Sequence, residues 1–339
     1  MKILTDAGSK SLCDCTPNSL KKYSTHDITF CTEFEINDYN WNDFDIVHVN
    51  GTICEQFFTT KAKTIYNIHA YILSCPPGGL YCMVLNKFLK EPLTCLDCLG
   101  YLGIKTGTDH QKKLIKMAQK ADIFAVHSEY MKEFYHMFNP TVFTVPLETD
   151  ILIPCNPKEK ELEEYLLYTG RLSFEKNPFG FIDIVNRTGI KGKMVVYNFL
   201  ETDELTNTKS FYKDLINNTN PNIEIILNPS KGEMIKLVQR AKFTVLPYFF
   251  AEPLGVAALN SILCGTPVIS FPYGNARNLS TLLPKTLDEM IKMLNVSDNE
   301  YKNIISKMNA KKIELIKIHD PATVVKQWDN IYDKLGESL

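Results

Sequence analysis

A chain of 339 residues exceeds what one hydrophobic core ordinarily fills and fits two domains of roughly 150 residues each. Apolar residues make up 45% of it, enough for both cores, yet no apolar run approaches the ~20 residues of a membrane-spanning helix. A net charge of -2, with lysines spread among acidic residues, excludes a global electrostatic pull toward nucleic acid or an anionic membrane.

The opening MKILTDAGSK has too short an apolar stretch for a secretory signal and reads as a first buried strand over Lys2–Leu4, with a cytoplasmic protein as the expectation. Further strands are predicted at Ile28–Phe30, Ile46–Val49, Thr64–Ile68, Ile123–Val126 and Thr141–Val145. Helical spacing appears over Asp109–Lys120, and Ser128 is placed to cap a helix over Glu129–Phe138. Of the ten cysteines, Cys75, Cys82, Cys95 and Cys98 give the spacing C-x6-C-x12-C-x2-C. Four thiolates could hold a structural zinc ion; a disulfide and free thiols are the open alternatives.

The stretch ETDILIPCNPKEKELEE, with two prolines and mixed charge, reads as a connection between domains. A second alternating series follows, with strands near Tyr165–Thr169, Lys193–Tyr197, Ile223–Leu227, Phe243–Leu246 and Pro267–Phe271. Helices over Pro178–Arg187, Lys231–Arg240 and Gly255–Cys264 lie between them. Short strands alternating with helices predict an α/β class with two Rossmann-like domains, ligands binding at the carboxyl ends of the strands. The expected boundaries are 1–153, 154–320 and a terminal helix over 321–339, with a break at His319-Asp320-Pro321.

Two stretches carry chemistry. In FFAEPLGVAALNSILCGTPVIS an acid and a proline stand directly before a helix that opens at Leu254 and Gly255. The first N–H groups of a helix have no intrahelical partner and sit at the positive end of its dipole, so Leu254, Gly255 and Val256 offer a phosphate a backbone cradle. Glu252 beside it is better suited to accept from sugar hydroxyls than to meet an anion. In LLYTGRLSFEKNP a strand ends at Gly170-Arg171, and Lys176 follows five residues after the arginine. Two cations on a loop at a strand's carboxyl end can clamp a diphosphate and stabilise its charge as a bond to it breaks.

These two stretches resemble the signatures of retaining GT-B glycosyltransferases of the glycosyltransferase family 4, or group 1, superfamily. The family's second Glu, separated from the first by seven residues, is Asn260 here, which hydrogen-bonds but carries no charge. The segments DIVHVNG, TIYNIHAYIL and ADIFAVHSEYMKEFY resemble the family's strand edges in the same order, and KQWDNIYDKL its terminal helix, which crosses back onto the first domain.

The resemblance implies a GT-B fold, two Rossmann-like domains facing each other across a cleft, and transfer of a sugar from a UDP- or GDP-sugar with retention. Arg171 and Lys176 would hold the diphosphate, Glu252 the sugar hydroxyls and Asn260 the ribose. His69 would sit near the transferred sugar and the β-phosphate, and Gly8 would belong to the loop that brings backbone amides to donor or acceptor. His48, His127 and His136 read as packing or surface residues. No catalytic metal or cofactor beyond the donor is implied. The acceptor, whether glycan, lipid-linked sugar or protein, is left open. A nucleotide-sugar epimerase or a sugar phosphorylase on the same architecture is the alternative within enzymes, and a catalytically silent nucleotide-sugar binding module, suggested by Asn260, the alternative outside them.

Overall fold

The structure, a computed structural model, describes residues 1–6, 16–32, 35–50, 55–69, 81–82, 87–88, 115–149, 163–197 and 208–337. The chain divides into two compact units: Met1–Asp150 with Lys317–Leu339, and Ile151–Ile316. Gly8, the linker prolines Pro154 and Pro157, and the side chains of Cys75, Cys82, Cys95 and Cys98 lie outside the described residues.

The first unit contains β1 (Lys2–Asp6), α1 (Thr16–Tyr23), β2 (Asp27–Cys31), β3 (Ile46–Asn50) and β4 (Lys63–Ile68). After a short antiparallel pair, β5 (Tyr81–Cys82) with β6 (Lys87–Phe88), come β7 (Ile123–Val126), α2 (Glu129–Tyr135) and β8 (Val142–Thr144). Six of these strands form a wholly parallel sheet in the order β2-β1-β3-β4-β7-β8. A parallel sheet covered on both faces asks for near-continuous apolar strands, and IFAV in β7 is buried at all four positions. Ser128 caps α2 as expected, its hydroxyl accepting from the Met131 N–H. The helix ends at Tyr135, earlier than expected, because Asn139-Pro140 turns the chain toward β8.

One face of this sheet is closed by the last helix of the chain. Trp328, Ile331, Tyr332 and Leu335 pack with Ile3, Ile46, Ile65 and Ile123 in one core. Polar contacts fix its register: Asp329 accepts from Ser24 Oγ at 2.6 Å and from the Thr25 N–H at 3.0 Å, and Tyr332 Oη lies 2.9 Å from Nδ1 of His48.

The second unit runs β9 (Tyr165–Arg171), α3 (Pro178–Thr188), β10 (Lys191–Tyr197), α4 (Thr208–Asn218), β11 (Ile223–Leu227), α5 (Lys231–Arg240) and β12 (Phe243–Leu246). It continues with α6 (Val256–Leu263), β13 (Val268–Ser270), α7 (Ala276–Leu279), α8 (Leu287–Leu294) and α9 (Asp298–Ile318). The last helix, α10 (Pro321–Gly336), belongs to the first unit and starts with proline at its first turn, after the expected break. The five strands are parallel in the order β11-β10-β9-β12-β13. Strand order therefore reverses between β9 and β12, and at such a switch point the connections leave in opposite directions and open a crevice at the carboxyl ends. Ile223–Leu227, Phe243–Leu246 and the helix at Lys231–Arg240 fall on the residues expected from hydrophobic pattern and turn signals.

Candidate functional site

The two chemistry-bearing stretches meet at this switch point. Arg171 ends β9, and the loop after it forms a short turn at Phe174–Lys176 before α3. The loop after β12 carries Tyr248, Phe250 and Glu252 to the start of α6. Because β9 and β12 are hydrogen-bonded neighbours, residues about eighty positions apart in sequence become adjacent at one edge.

Several contacts tie the two loops together. Asn177, in the left-handed conformation with φ 48°, caps α3 through its Oδ1 and donates from Nδ2 to the Pro247 carbonyl at 2.9 Å. The Phe249 N–H donates to the Glu175 carbonyl at 2.8 Å, and Tyr248 Oη donates to the Thr169 carbonyl. Burial pushes the Tyr168 and Tyr248 phenols well above their usual range, so both are held as hydroxyls.

Within this frame Lys176 is nearly enclosed. Its Nζ lies 2.5 Å from Oε1 of Glu252 and over the rings of Tyr248 and Phe250, at 4.1 and 4.3 Å from their centroids. Only 13% of the lysine side chain and 11% of the glutamate side chain is exposed, so the cation is held by a carboxylate and two π-faces rather than by water. Arg171 differs: its side chain is 61% exposed and rests 3.6 Å from Glu175, which also accepts from Ser173.

The helix start beside Glu252 is built by two glycines. Gly255 stands at the N-cap of α6 with φ 74°, and no side chain caps the helix there. A Cβ on Gly255 would come 2.6 Å from Leu279 Cδ1. Gly274, φ 61°, passes so close to Glu252 that a Cβ would come 2.4 Å from its backbone N and O. Asn275 completes the turn, its N–H donating to the Glu252 carbonyl at 2.7 Å and its Nδ2 to the Leu254 carbonyl at 2.8 Å. A hollow beside this turn is lined by Tyr248, Phe250, Glu252, Gly255, Ala257 and Tyr273. Asn260 is one turn into α6, on the half-exposed stripe it shares with Val256 and Ala257, while Ala258, Leu259, Ser261, Ile262 and Leu263 face the core.

The structure thus brings Lys176, Glu252, Gly255, Val256 and Asn260 to one edge of the second unit, with Gly170 beneath Tyr248 and Arg171 at the rim. Gly170 is tight as well, since a Cβ would meet Tyr248 Oη at 3.0 Å. His69 is in the first unit, just past β4, where His127 hydrogen-bonds it. His48 is fully buried against Trp328, with ring centroids 4.4 Å apart. Asn177, Tyr248, Phe250 and Asn275 were not singled out by the sequence; the signals were the Lys-Asn-Pro order at a helix start and the aromatic run YFF before Glu252. Among the described residues no group of three or more His, Cys, Asp and Glu side chains is placed to hold a metal ion, and Cys31 and Cys264 are buried. No helix among the described residues is long and apolar enough to cross a membrane.

Comparison with known proteins matches residues 154–281 to the family model described as "Glycosyl transferases group 1". Among curated proteins no sequence match is found. Among solved structures, HepE of Anabaena in complex with UDP and glucose has a TM-score of 0.70 at 12% identity, over 98% of this chain and 100% of that one. Sucrose-phosphate synthase from Thermosynechococcus elongatus gives 0.64 at 13% identity, over 88% and 75%. AviGT4, a glycosyltransferase involved in avilamycin A biosynthesis, gives 0.60 at 10% identity, over 100% and 99%. Residues 154–281, which hold the assembled site, thus carry the group 1 glycosyl transferase pattern, and the chain as a whole has the GT-B glycosyltransferase fold, α/β with two parallel sheets.

Proposed function

We propose that the protein is a glycosyltransferase that takes a hexosyl group from a nucleoside-diphosphate sugar, a UDP-sugar in the first instance, and passes it to an acceptor hydroxyl with retention. The observation that carries this reading is Lys176, held 2.5 Å from Glu252 beside the uncapped start of α6. A diphosphate there meets an ammonium group and the positive end of a helix dipole, while Glu252 accepts from sugar hydroxyls. HepE, solved with UDP and glucose and with UDP-glucose, supports the choice of donor.

In the proposed reaction the bond between the anomeric carbon and the β-phosphate oxygen breaks as the acceptor oxygen bonds to that carbon from the same face. The acceptor proton passes to the departing diphosphate. Negative charge grows on that diphosphate, and this reading assigns its stabilisation to Lys176, Arg171 and the N–H groups of Leu254–Val256. This fixed positive charge is the reason to expect no catalytic metal. The second unit is the donor side and the first unit, with His69 and Gly8, the acceptor side; Asn260 meets the ribose.

The test is release of free nucleotide from a panel of UDP- and GDP-sugars, with and without candidate acceptor sugars. Product linkage and anomeric configuration are read by NMR. Acceptor-dependent release that persists in EDTA and yields the donor's own anomer is the expected result. Binding of a donor by calorimetry with no release on any acceptor would favour the second reading, a silent nucleotide-sugar binding module, which Asn260 at the family's second-Glu position motivates.

A further inference from the structure

Lys176 and Glu252 leave each other little to offer a ligand. An ammonium group has three N–H donors in tetrahedral directions. One is taken up by Oε1 of Glu252 at 2.5 Å, and the rings of Tyr248 and Phe250, with centroids 4.1 and 4.3 Å from Nζ, cover two further sides. The lysine backbone is held as well: its N–H donates to the Ser173 carbonyl at 3.2 Å, and its carbonyl accepts from Tyr168 Oη at 3.2 Å. Among the described residues no other cation pairs with Glu252, so the carboxylate depends on Lys176 for its charge balance.

The two backbones are fixed, so only the side chains can separate the pair. Asn177 ties the Lys176 loop to the Pro247 carbonyl, while the Asn275 N–H and the close approach of Gly274 pin the backbone of Glu252. The flexible Glu252 side chain borders a hollow that Gly255, Ala257 and Tyr273 also line. A diphosphate that takes Lys176 draws the ammonium away from Glu252. The carboxylate, only 11% exposed, is then left without a counter-charge in a largely dry setting, which is unfavourable. Hexose hydroxyls repair this, because each can donate a hydrogen bond to the carboxylate. A free nucleoside diphosphate brings the anion without those hydroxyls.

We infer that the pair of Lys176 and Glu252 is a latch that discriminates a nucleoside-diphosphate sugar from the free nucleoside diphosphate. The intact donor opens it by replacing both partners, with phosphate oxygens for Lys176 and hexose hydroxyls for Glu252. The free nucleotide replaces one partner only. Once the hexose has been transferred, its hydroxyls are gone and Glu252 competes with the diphosphate for Lys176 again. Closure of the pair then favours release of the spent nucleotide. The choice of ligands rests on the glycosyltransferase reading above; the closed pair is a contact of the structure.

Calorimetry on the full-length protein with UDP and UDP-glucose, and with GDP and GDP-mannose, tests this in the wild type and in Glu252→Gln, which keeps the shape and removes the charge. For whichever nucleotide binds, the wild type should hold the sugar nucleotide about tenfold or more tightly than the nucleoside diphosphate. In Glu252→Gln the free nucleotide should gain about tenfold and the sugar nucleotide should not, so that the two come within about threefold of each other. Equal wild-type affinities, or a free nucleotide that binds Glu252→Gln no more tightly than wild type, overturn the latch and leave the donor reading intact. Removal of a negative charge by itself also favours an anion, so a crystal structure of the wild type with the sugar nucleotide that binds supplies the second readout. Lys176 Nζ is expected on a phosphate oxygen and Glu252 on hexose hydroxyls; a Lys176 still bonded to Glu252 overturns the proposal whatever the affinities, and this structure decides the matter should Glu252→Gln not fold. If none of the four ligands binds, the donor reading fails and the latch falls with it.

Discussion

At the scale of single residues, the two cations of the proposed clamp differ in how they are held, and the difference predicts different phenotypes. Lys176 sits between two aromatic rings and a carboxylate with little access to water. Lys176→Ala leaves Glu252 with its charge uncompensated in a largely dry setting, a loss on the order of 3 kcal/mol by analogy with broken buried pairs. It should therefore lower both turnover, by roughly tenfold or more, and the denaturant midpoint. Arg171 is exposed and touches only the rim, so Arg171→Ala should reduce turnover by about the same factor with the midpoint unchanged. Nucleotide-release kinetics beside urea titrations of both variants check this, and full activity in both removes the clamp. Asn260 lies on the half-exposed stripe of α6 that also holds Val256. Asn260→Glu restores a carboxylate where the ribose is proposed to bind, and calorimetry with UDP should show tighter binding. Equal or weaker binding would count against that placement.

At the scale of elements, the site depends on a backbone turn more than on any one side chain. Gly255 and Gly274 adopt left-handed φ angles where L-side chains are strained, and neither has room for a Cβ. Gly274→Ala must push the Glu252 backbone away, which costs about 1–3 kcal/mol and displaces the carboxylate from Lys176. The expected result is a lower melting temperature together with lost turnover. Ser230 in the capping box of α5 supplies a contrast, since its hydroxyl and Glu233 satisfy each other's backbone N–H groups after β11, two strands from β9. Ser230→Ala should cost about 1 kcal/mol of stability and leave kcat unchanged. Equal activity losses in the two variants would mean that the Gly274 effect is loss of fold rather than of site geometry.

At the scale of the whole molecule, the first unit is completed only when the last helix returns to it. Trp328 is 2% exposed in a core it shares with residues of α1, α10 and strands β1, β3, β4 and β7, so Trp328→Ala should destabilise that unit by about 3–5 kcal/mol, measurable by chemical denaturation. The same unit buries His48 and His127 and half-buries His69. Burial lowers His48 to about 3 and His69 to about 4, against about 6.5 in an unfolded chain. As pH falls below about 6.5 the unfolded chain binds protons that the folded chain refuses, so stability drops with acid down to the folded values. The urea midpoint should fall between pH 7.5 and 5.5, above the range where carboxylates titrate. A midpoint constant over that interval would show that these histidines are not buried neutral.

What could be read from the amino acids alone was whatever depends on short-range pattern. Apolar runs of strand length between helical periods placed β11, β12 and α5 on their observed residues, and the Glu-Pro-Leu-Gly and Gly-Arg-x4-Lys spacings picked out two strand-end loops. Local conformational preference and burial of a repeating apolar face act over a few residues, so sequence suffices there. Sequence did not tell that Lys176 would be clasped by Tyr248, Phe250 and Glu252, that Asn177 would link two loops, or that His127, read as packing, would lie within hydrogen-bond distance of His69. Those contacts exist because the order of strands across each sheet makes distant segments neighbours, and that order is decided by long-range packing, which no local run of residues encodes.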